Sequence, residues 1–547
     1  MSDPVRAREL ARPLAPAARG STTVDEALEA LEGSGPDRLP VLERGGVGGT
    51  LDAGILGRAR CHGLGRLPIR DLLLGEVRTV PANVDLERVR RELLRPGRPL
   101  VLVRAPSGRL GYIRLADLPG APDPVGPVSA DLTAALEDRL SCETLAALRR
   151  LGAEGLPAYL VGGPVRDLSL DRPTRDLDVV IEGDVLQAAR RLGKDVRYHE
   201  AFQTASVTLE DGTRIDLARA REEHYPRPAS LPRVEPSDLE RDLGRRDFTV
   251  NTLALSLDPS GFGRVIDPLG GLDDLRRRRL RVLHGLSFID DPTRAFRAAR
   301  LAARLGFEVG PRTSHLIRVA LRLGVFDRLS AARLRGELER ALDGTALAAT
   351  VRELRRHTLF RALDGELRPP PALARRLERL EGLFDWYGSL PGKRPLDRPV
   401  AVLGLLLQRA EGRRIEHWLD RLQPGRAGRR ILRQAARGLD RLVRTLSERR
   451  RTPPSRIYLA CRDWPAELLL VAVALGGASI RRRIILYLAE LDCARPDITG
   501  RDLLRAGVRA GPDVARGLEA ALLAKLDGRG RSAAEQLSLA LRKLGRP

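Results

Sequence analysis

Two rhythms of apolar residues divide this 547-residue chain. From about residue 286 onward, Leu and Ala recur at i, i+3 and i+4 with Arg between them, the spacing of amphipathic helices. Ile431, Leu432, Ala435, Leu439, Leu442 and Leu446 form one such stripe; Arg426, Arg430, Arg433, Arg437, Arg441 and Arg444 fall mostly elsewhere on that helix. Between 157 and 285 the pattern becomes short apolar runs broken by Gly and Pro, which predicts strands interleaved with short helices. Within it, Asp176 and Asp178 alternate with Leu177, Val179 and Ile181, so period two places both carboxylates on one face of a strand. Just upstream, the apolar run Tyr159 to Val161 meets Gly162 and Gly163, and Pro164 marks a helix start.

The N-terminal part reads differently. Residues 1–20 are rich in Arg, Ala and Pro and predict a flexible tail. Residues 21–120 hold a repeat of helix, strand, Gly turn, strand, helix. Thr23-Val24-Asp25-Glu26-Ala27 opens the first copy, ahead of LPVLERGGVGG; Val84-Asp85-Leu86 opens the second, ahead of PLVLVRAPSGRLGYI. Residues 121–154 predict a linker and helix, with PGAPDPVGP (119–127) as a boundary and helical pattern from Asp131 to about Leu151. Three segments follow: a mixed-sheet domain over 155–285, a helical segment over 286–345, and a helical body and tail over 346–547.

Composition narrows the function classes. The net charge of +23 favours a polyanionic partner such as RNA or DNA; the plain alternative is a GC-rich genome that writes Arg for Lys and inflates Ala, Leu and Gly. Nine Phe, seven Tyr and three Trp are too few for base-stacking platforms. The four cysteines are scattered and read as reduced cytosolic thiols. The N-terminus has no apolar signal core, and the longest apolar run, Leu468 to Leu475, is far short of a membrane span. The expectation is a cytoplasmic protein without a membrane partner. The seven His are dispersed, so no His or Cys metal cluster is expected, and there is no Walker-type string.

The string Gly162-Gly163-Pro164-Val165-Arg166-Asp167 followed by Asp176-Leu177-Asp178 resembles the opening motif of the class II tRNA nucleotidyltransferases, which build the 3′-terminal CCA, and of related bacterial poly(A) polymerases. Three more strings resemble that family's later motifs, in family order: LERDLGRRDFTVNTLA (239–254), DPLGGLDDL (267–275) and SFIDDPTRAFRAARLAARLGF (287–307). A weaker one runs from Leu329-Ser330 to Glu337-Leu338, so the resemblance covers about 155–345. The 21–120 repeat resembles a pair of CBS modules, which in many proteins bind adenine nucleotides; a degenerate spacer is the alternative.

The resemblance implies an α+β fold: a small mixed-sheet nucleotidyltransferase head, then all-α neck, body and tail, preceded by an α/β CBS-like pair. It implies that Asp176 and Asp178 are catalytic and hold two Mg²⁺ ions. Asp216, in Arg214-Ile215-Asp216, is a candidate third carboxylate or an ordinary strand Asp. Gly162, Gly163 and Arg166 would bind nucleotide; Arg245 and Arg246 would meet the triphosphate; Asp247 and Asn251 would bind the ribose or brace the pocket. Asp291 and Arg294, three apart on a helix, would share a face and read the amino-plus-acceptor edge common to cytosine and adenine; the plain alternative is a surface salt bridge. Arg297 and Arg300 would support the pocket.

The sequence departs from the family at Asp171 and Gln203, where Gly is usual, and at Asp290, where many members have Glu. The motif 267–275 reads as turn chemistry, helix cap and hinge. The implied reaction moves CMP or AMP from CTP or ATP to the 3′ end of tRNA. Full CCA addition, A-only addition with a separate CC-adding partner enzyme, and poly(A) synthesis stay open. The rival from another class is a non-catalytic, adenine-nucleotide-sensing RNA-binding protein.

Overall fold

Thr23 opens helix α1 (Val24–Glu32) through a capping box with Glu26, as its spacing predicts. Strands β1 (Arg12–Pro13) and β2 (Ala18–Arg19) precede it, and β3 (Arg38–Glu43), β4 (Gly46–Asp52) and helix α2 (Ala53–Cys61) follow. The second copy is β5 (Thr79–Pro81), α3 (Leu86–Leu93), β6 (Leu100–Arg104) and β7 (Leu110–Arg114). These make two small sheets, β2-β3-β4 and β1-β7-β6-β5. Residues 5–20, expected as a flexible tail, are instead built into both: β1 pairs with Gly111 and Tyr112, β2 pairs with Val41 and Leu42, and Ala7 and Ala15 are buried. Apolar burial and two strand pairings outweigh the Arg/Ala/Pro composition.

The computed structural model describes residues 5–546 apart from 45, 76, 94–99, 120–127, 154, 175, 194, 345, 366, 368–371, 409, 411 and 449–451. Most of the expected linker, residues 120–127, lies outside the described residues. The chain divides into two compact units, Met1–Leu329 and Ser330–Pro547. The expected neck, 286–345, is therefore cut at Leu329 rather than standing as one segment.

The head begins earlier than the expected residue 155. Strand β8 (Val128–Asp131) is the edge of its sheet, and helix Cys142–Ala153 packs so tightly that a Cβ on Gly152 would lie 1.6 Å from the Leu257 carbonyl oxygen. Next come β9 (Ala158–Val161), α4 (Gly163–Ser169), β10 (Asp176–Ile181), β11 (Val196–His199), β12 (Thr204–Thr208) and β13 (Arg214–Arg219). A separate hairpin pairs β14 (Arg221–His224) with β15 (Arg233–Pro236). Helix α5 (Leu239–Gly244), β16 (Ala254–Ser256), β17 (Arg264–Ile266) and α6 (Gly271–Arg276) complete the head. The mixed sheet has the order β11-β12-β13-β10-β9-β16-β17-β8. One face is apolar and holds Val161, Val180, Ala254 and Ile266 against Leu239 and Leu243 of α5. Asp267 caps α6, accepting from the backbone of Gly271 and Leu272 at 2.7 and 2.9 Å.

Three helices close the first unit: the single turn α7 (Ser287–Asp290), α8 (Thr293–Leu305) and α9 (Pro311–Arg322). In the second unit, Ala466–Leu475 is buried along nearly its whole length and packs against Arg398–Leu407, Leu373–Gly388 and α10 (Arg426–Ser447). The buried residues of α10 are Gly428 and the six-residue apolar stripe read from the sequence. Among the described residues the second unit has no strand, and no helix of either unit is long and apolar enough to cross a membrane.

Candidate active site

The alternation of β10 puts Asp176 and Asp178 on its exposed face and Leu177 and Val179 in the core. Parallel pairing with β13 sets Asp178 opposite Asp216, and antiparallel pairing with β12 sets Asp216 opposite Ser206. Three carboxylates thus lie on one sheet face. Asp216 Oδ1 accepts from Ser206 Oγ at 2.5 Å and from Arg214 Nε at 2.9 Å. Crowding by the surrounding protein comes first among the causes that push the Asp178 carboxyl above its ordinary value; Asp216 and Asp176 add to it, and Arg246 opposes it. Oxygen donors that repel one another are a donor set a hard divalent cation relieves, so these residues fit such an ion.

Gly162 ends β9 in the left-handed region, at φ 72°, and a Cβ there would lie 2.8 Å from Arg246 Nη1. That close approach is why only Gly serves at this turn. Arg246 is held by Asp242, on α5, which is fully buried. Asp242 Oδ2 accepts from Arg246 Nε and Nη2 at 3.2 and 2.8 Å; Oδ1 accepts from Arg245 Nε and Nη2 at 3.0 and 2.7 Å. The two guanidiniums then diverge. Arg246 meets the glycine turn and bears on Asp178, while Arg245 turns to the hairpin, donating to Glu223 at 2.6 Å and to the Arg221 carbonyl at 3.1 Å. The sequence reading named neither Asp242 nor its role, though its position three and four residues before the Arg pair is ion-pair spacing.

Arg166 is buried, not open to the site. It grips Asp167 at 2.8 and 2.9 Å and donates to Asn251 Oδ1 at 2.6 Å. Asn251 Nδ2 in turn donates to Asp247 Oδ1 at 2.9 Å, and Arg297 holds Asp247 Oδ2 at 2.8 and 2.7 Å. Burial pushes the Asp247 carboxyl up, but Arg297 and Asn251 outweigh it and hold it below its ordinary value. Arg166, Asn251, Asp247 and Arg297 therefore form one internal brace. Arg300 belongs to a cluster of positive charge with Arg166 and Arg172 that, after burial, lowers the Arg304 pKa.

Asp291 and Arg294 do not share one helix, as their three-residue spacing had implied. Asp291 is extended, at φ −136° and ψ 94°, between α7 and α8, because Pro292 disfavours the helical region for the residue before it. Its carboxylate accepts from Thr293 N at 3.0 Å and Thr293 Oγ1 at 2.6 Å. Arg294 is 5% exposed; Nη2 donates to the Arg245 carbonyl at 2.7 Å, while Nη1 is buried with no partner among the described residues. The Tyr225 ring of the hairpin lies 6.0 Å from the Arg294 guanidinium. Tyr225 was not singled out by sequence reasoning beyond its stretch, since its role depends on the hairpin folding back. Burial pushes its phenol well up, with Glu223 and Asp291 adding to it and Arg294 opposing.

One histidine stands among carboxylates on the hairpin. Glu222, His224 and Glu235 converge there, their ligand atoms within 4.8 Å, because β14 sets Glu222 opposite Glu235 of β15 and His224 follows two residues on along the same strand face. Glu222 there also pairs with Arg241 at 3.4 Å. Both departures from glycine fall at left-handed positions: Asp171 has φ 55° and Gln203 has φ 46°.

Residues 158–281 match the poly A polymerase head domain family. The A-adding tRNA nucleotidyltransferase of Geobacter sulfurreducens is 31% identical over 95% of this chain and 63% of its own length. The CC-adding tRNA nucleotidyltransferase of Deinococcus radiodurans is 44% identical over 34% of this chain and 53% of its own. The chain thus spans less than two thirds of these relatives. The solved structure of a Thermotoga maritima CCA-adding enzyme complexed with tRNA is similar over 76% of this chain and 99% of that one, with 32% identity and a TM-score of 0.64.

Proposed function

This chain belongs to the class II tRNA nucleotidyltransferase family, and from that premise we propose that it adds nucleotides to the 3′ end of tRNA without a template. The observation that carries the base preference is the Arg294 Nη1 donor, buried without an acceptor among the described residues, while Arg294 and Asp291 both bear on the Tyr225 phenol. A buried donor left unpaired costs about 1–3 kcal/mol, which an incoming base would recover by offering an acceptor. Cytosine and adenine offer an amino group to Asp291 and an acceptor to Arg294. Uracil and guanine place a carbonyl where the amino group should be, and would leave Asp291 facing a second acceptor.

Asp176 and Asp178, with Asp216 across the strand, would hold divalent ions, two Mg²⁺ in this reading. Bound there, they supply charge neutralisation for the triphosphate and a lowered pKa for the attacking 3′-hydroxyl. Arg246, steadied by Asp242, presents a guanidinium at the glycine turn for the triphosphate. The Arg166–Asn251–Asp247–Arg297 brace holds that turn against α8. In the second unit, a groove of about 810 Å³ along α10, lined by Arg426, Arg430, Arg437 and Arg441 beside Trp464, suits the tRNA backbone. Similarity to an A-adding enzyme over 95% of the chain, N-terminal repeat included, favours addition of the terminal A, with a separate enzyme adding CC. An adenine nucleotide at the CBS-like pair is part of the same proposal.

Incorporation of labelled CTP and ATP, tested separately with Mg²⁺ on tRNA transcripts ending at the discriminator base, at CC and at CCA, decides it. A single A on the CC-ended transcript is the expected result. CTP incorporation on the shortest transcript would mean full CCA addition, and long A tails a poly(A) polymerase. No incorporation, or incorporation that survives Asp176→Ala/Asp178→Ala, would refute the reading.

A further inference from the structure

Helix α7, the single turn that delivers Asp291, is held at both ends by the N-terminal module. Ahead of it, Gly285 lies so close to that module that a Cβ at 285 would sit 2.0 Å from the Leu72 carbonyl oxygen. At its end, Asp290 is 1% exposed, and His62 Nε2 donates to its Oδ1 at 2.8 Å. His62 caps the C-terminus of α2, and both side chains are almost wholly buried. Arg58 of the same helix and His284 each lie 3.9 Å from Asp290 Oδ2. On the hairpin side, Ala229 N donates to the Ile289 carbonyl at 3.1 Å.

A buried carboxylate is tolerable only when paired. Burial pushes Asp290 up, but the His62 hydrogen bond and the neighbouring His284 and Arg58 hold it below its ordinary value. Between Asp290 and Arg294 stand only Asp291, Pro292 and Thr293. Pro292 has a ring-fixed φ, and Thr293 is bonded to the Asp291 carboxylate, so this stretch has little slack to absorb a displaced Asp290.

We propose that His62 is a positioning residue for base selection: by fixing Asp290 it sets the backbone from which Asp291 and Arg294 meet the incoming base. The N-terminal module is then part of the specificity apparatus rather than a spacer. This rests on the reading of Asp291 and Arg294 as the base-selecting pair.

The test is the ratio of kcat/KM for ATP to that for GTP, measured on CC-ended tRNA with the full chain. His62→Ala and Gly285→Ala are expected to lower that ratio about tenfold, the scale of one lost buried charged hydrogen bond, and His62→Gln, which keeps a donor there, to restore most of it. Gly285→Ala carries the test if His62→Ala does not fold, because the obstacle at 285 is the Leu72 carbonyl and not a positive φ. Glu43→Gln removes a 2.7 Å ion pair to Arg312 of α9, away from Asp290, and should leave the ratio unchanged. An unchanged ratio in His62→Ala and Gly285→Ala, with collapse in Asp291→Ala, would overturn the inference alone. An unchanged ratio in Asp291→Ala would overturn the base-selection reading beneath it.

Discussion

Asp242 offers the sharpest test of how the triphosphate arginines are held. Its carboxylate is fully buried and divides its oxygens, Oδ1 to Arg245 and Oδ2 to Arg246, with two donor contacts each. The guanidiniums are themselves mostly buried, at 17% and 18% exposed, so water cannot replace the lost partner. Asp242→Asn keeps the shape but turns one acceptor oxygen into an N–H₂ donor facing a guanidinium. Arg245 keeps its 2.6 Å contact to Glu223, so the lost hold falls on Arg246. Breaking a buried pair in this way costs about 3–5 kcal/mol. Urea unfolding should register that loss, and the KM for ATP should rise because Arg246 no longer stays at the glycine turn. An Asp242→Asn protein that loses less than about 1 kcal/mol and keeps its KM would refute the reasoning, since that is the range of an exposed pair.

Other predictions follow from single features. Gln203→Gly should raise stability by up to about 1 kcal/mol in urea, because it relieves a left-handed residue; the gain is limited by the lost 3.1 Å bond to Arg219, and a clear loss would count against strain at that turn. Burial lowers the His284 pKa from 6.5 to about 3. Its folded pKa lies below the unfolded one, so stability is fully present above pH 6.5 and falls by about 1.4 kcal/mol per unit as pH drops from 6.5 towards 3. His284→Gln should flatten that slope, and an unaltered slope would exclude His284 as its source. Replacing Arg430, Arg437 and Arg441 together by Gln should weaken tRNA binding at least tenfold at moderate salt and reduce the salt dependence, with ATP binding unchanged; filter binding across a salt series reads both.

Much of this molecule was written locally. Alternation over 176–181 was enough to place Asp176 and Asp178 on one face, because strand geometry has period two whatever lies next to it. The six apolar positions of α10 were legible for the same reason at period 3.6; placing Asp291 on a helix overlooked Pro292, which disfavours the helical region for the residue before it. The composition of residues 5–20 misled, because two short strand pairings and a few buried alanines leave little mark on it.

Strand register and long-range packing decided the rest. Nothing near Asp216 said that β13 would run parallel to β10 in the register that sets it against Asp178; a shift of one residue would have turned its side chain to the other face. The hairpin had to fold back before Tyr225 could reach Arg294, and His62 had to cross 228 residues to reach Asp290. The sequence by itself determined which faces are polar, where the chain turns and which residue types stand in motif order, since these depend on sterics and periodicity within a few residues. Only the tertiary structure decided which of those faces meet, because burying apolar surface selects one pairing among many that local geometry allows.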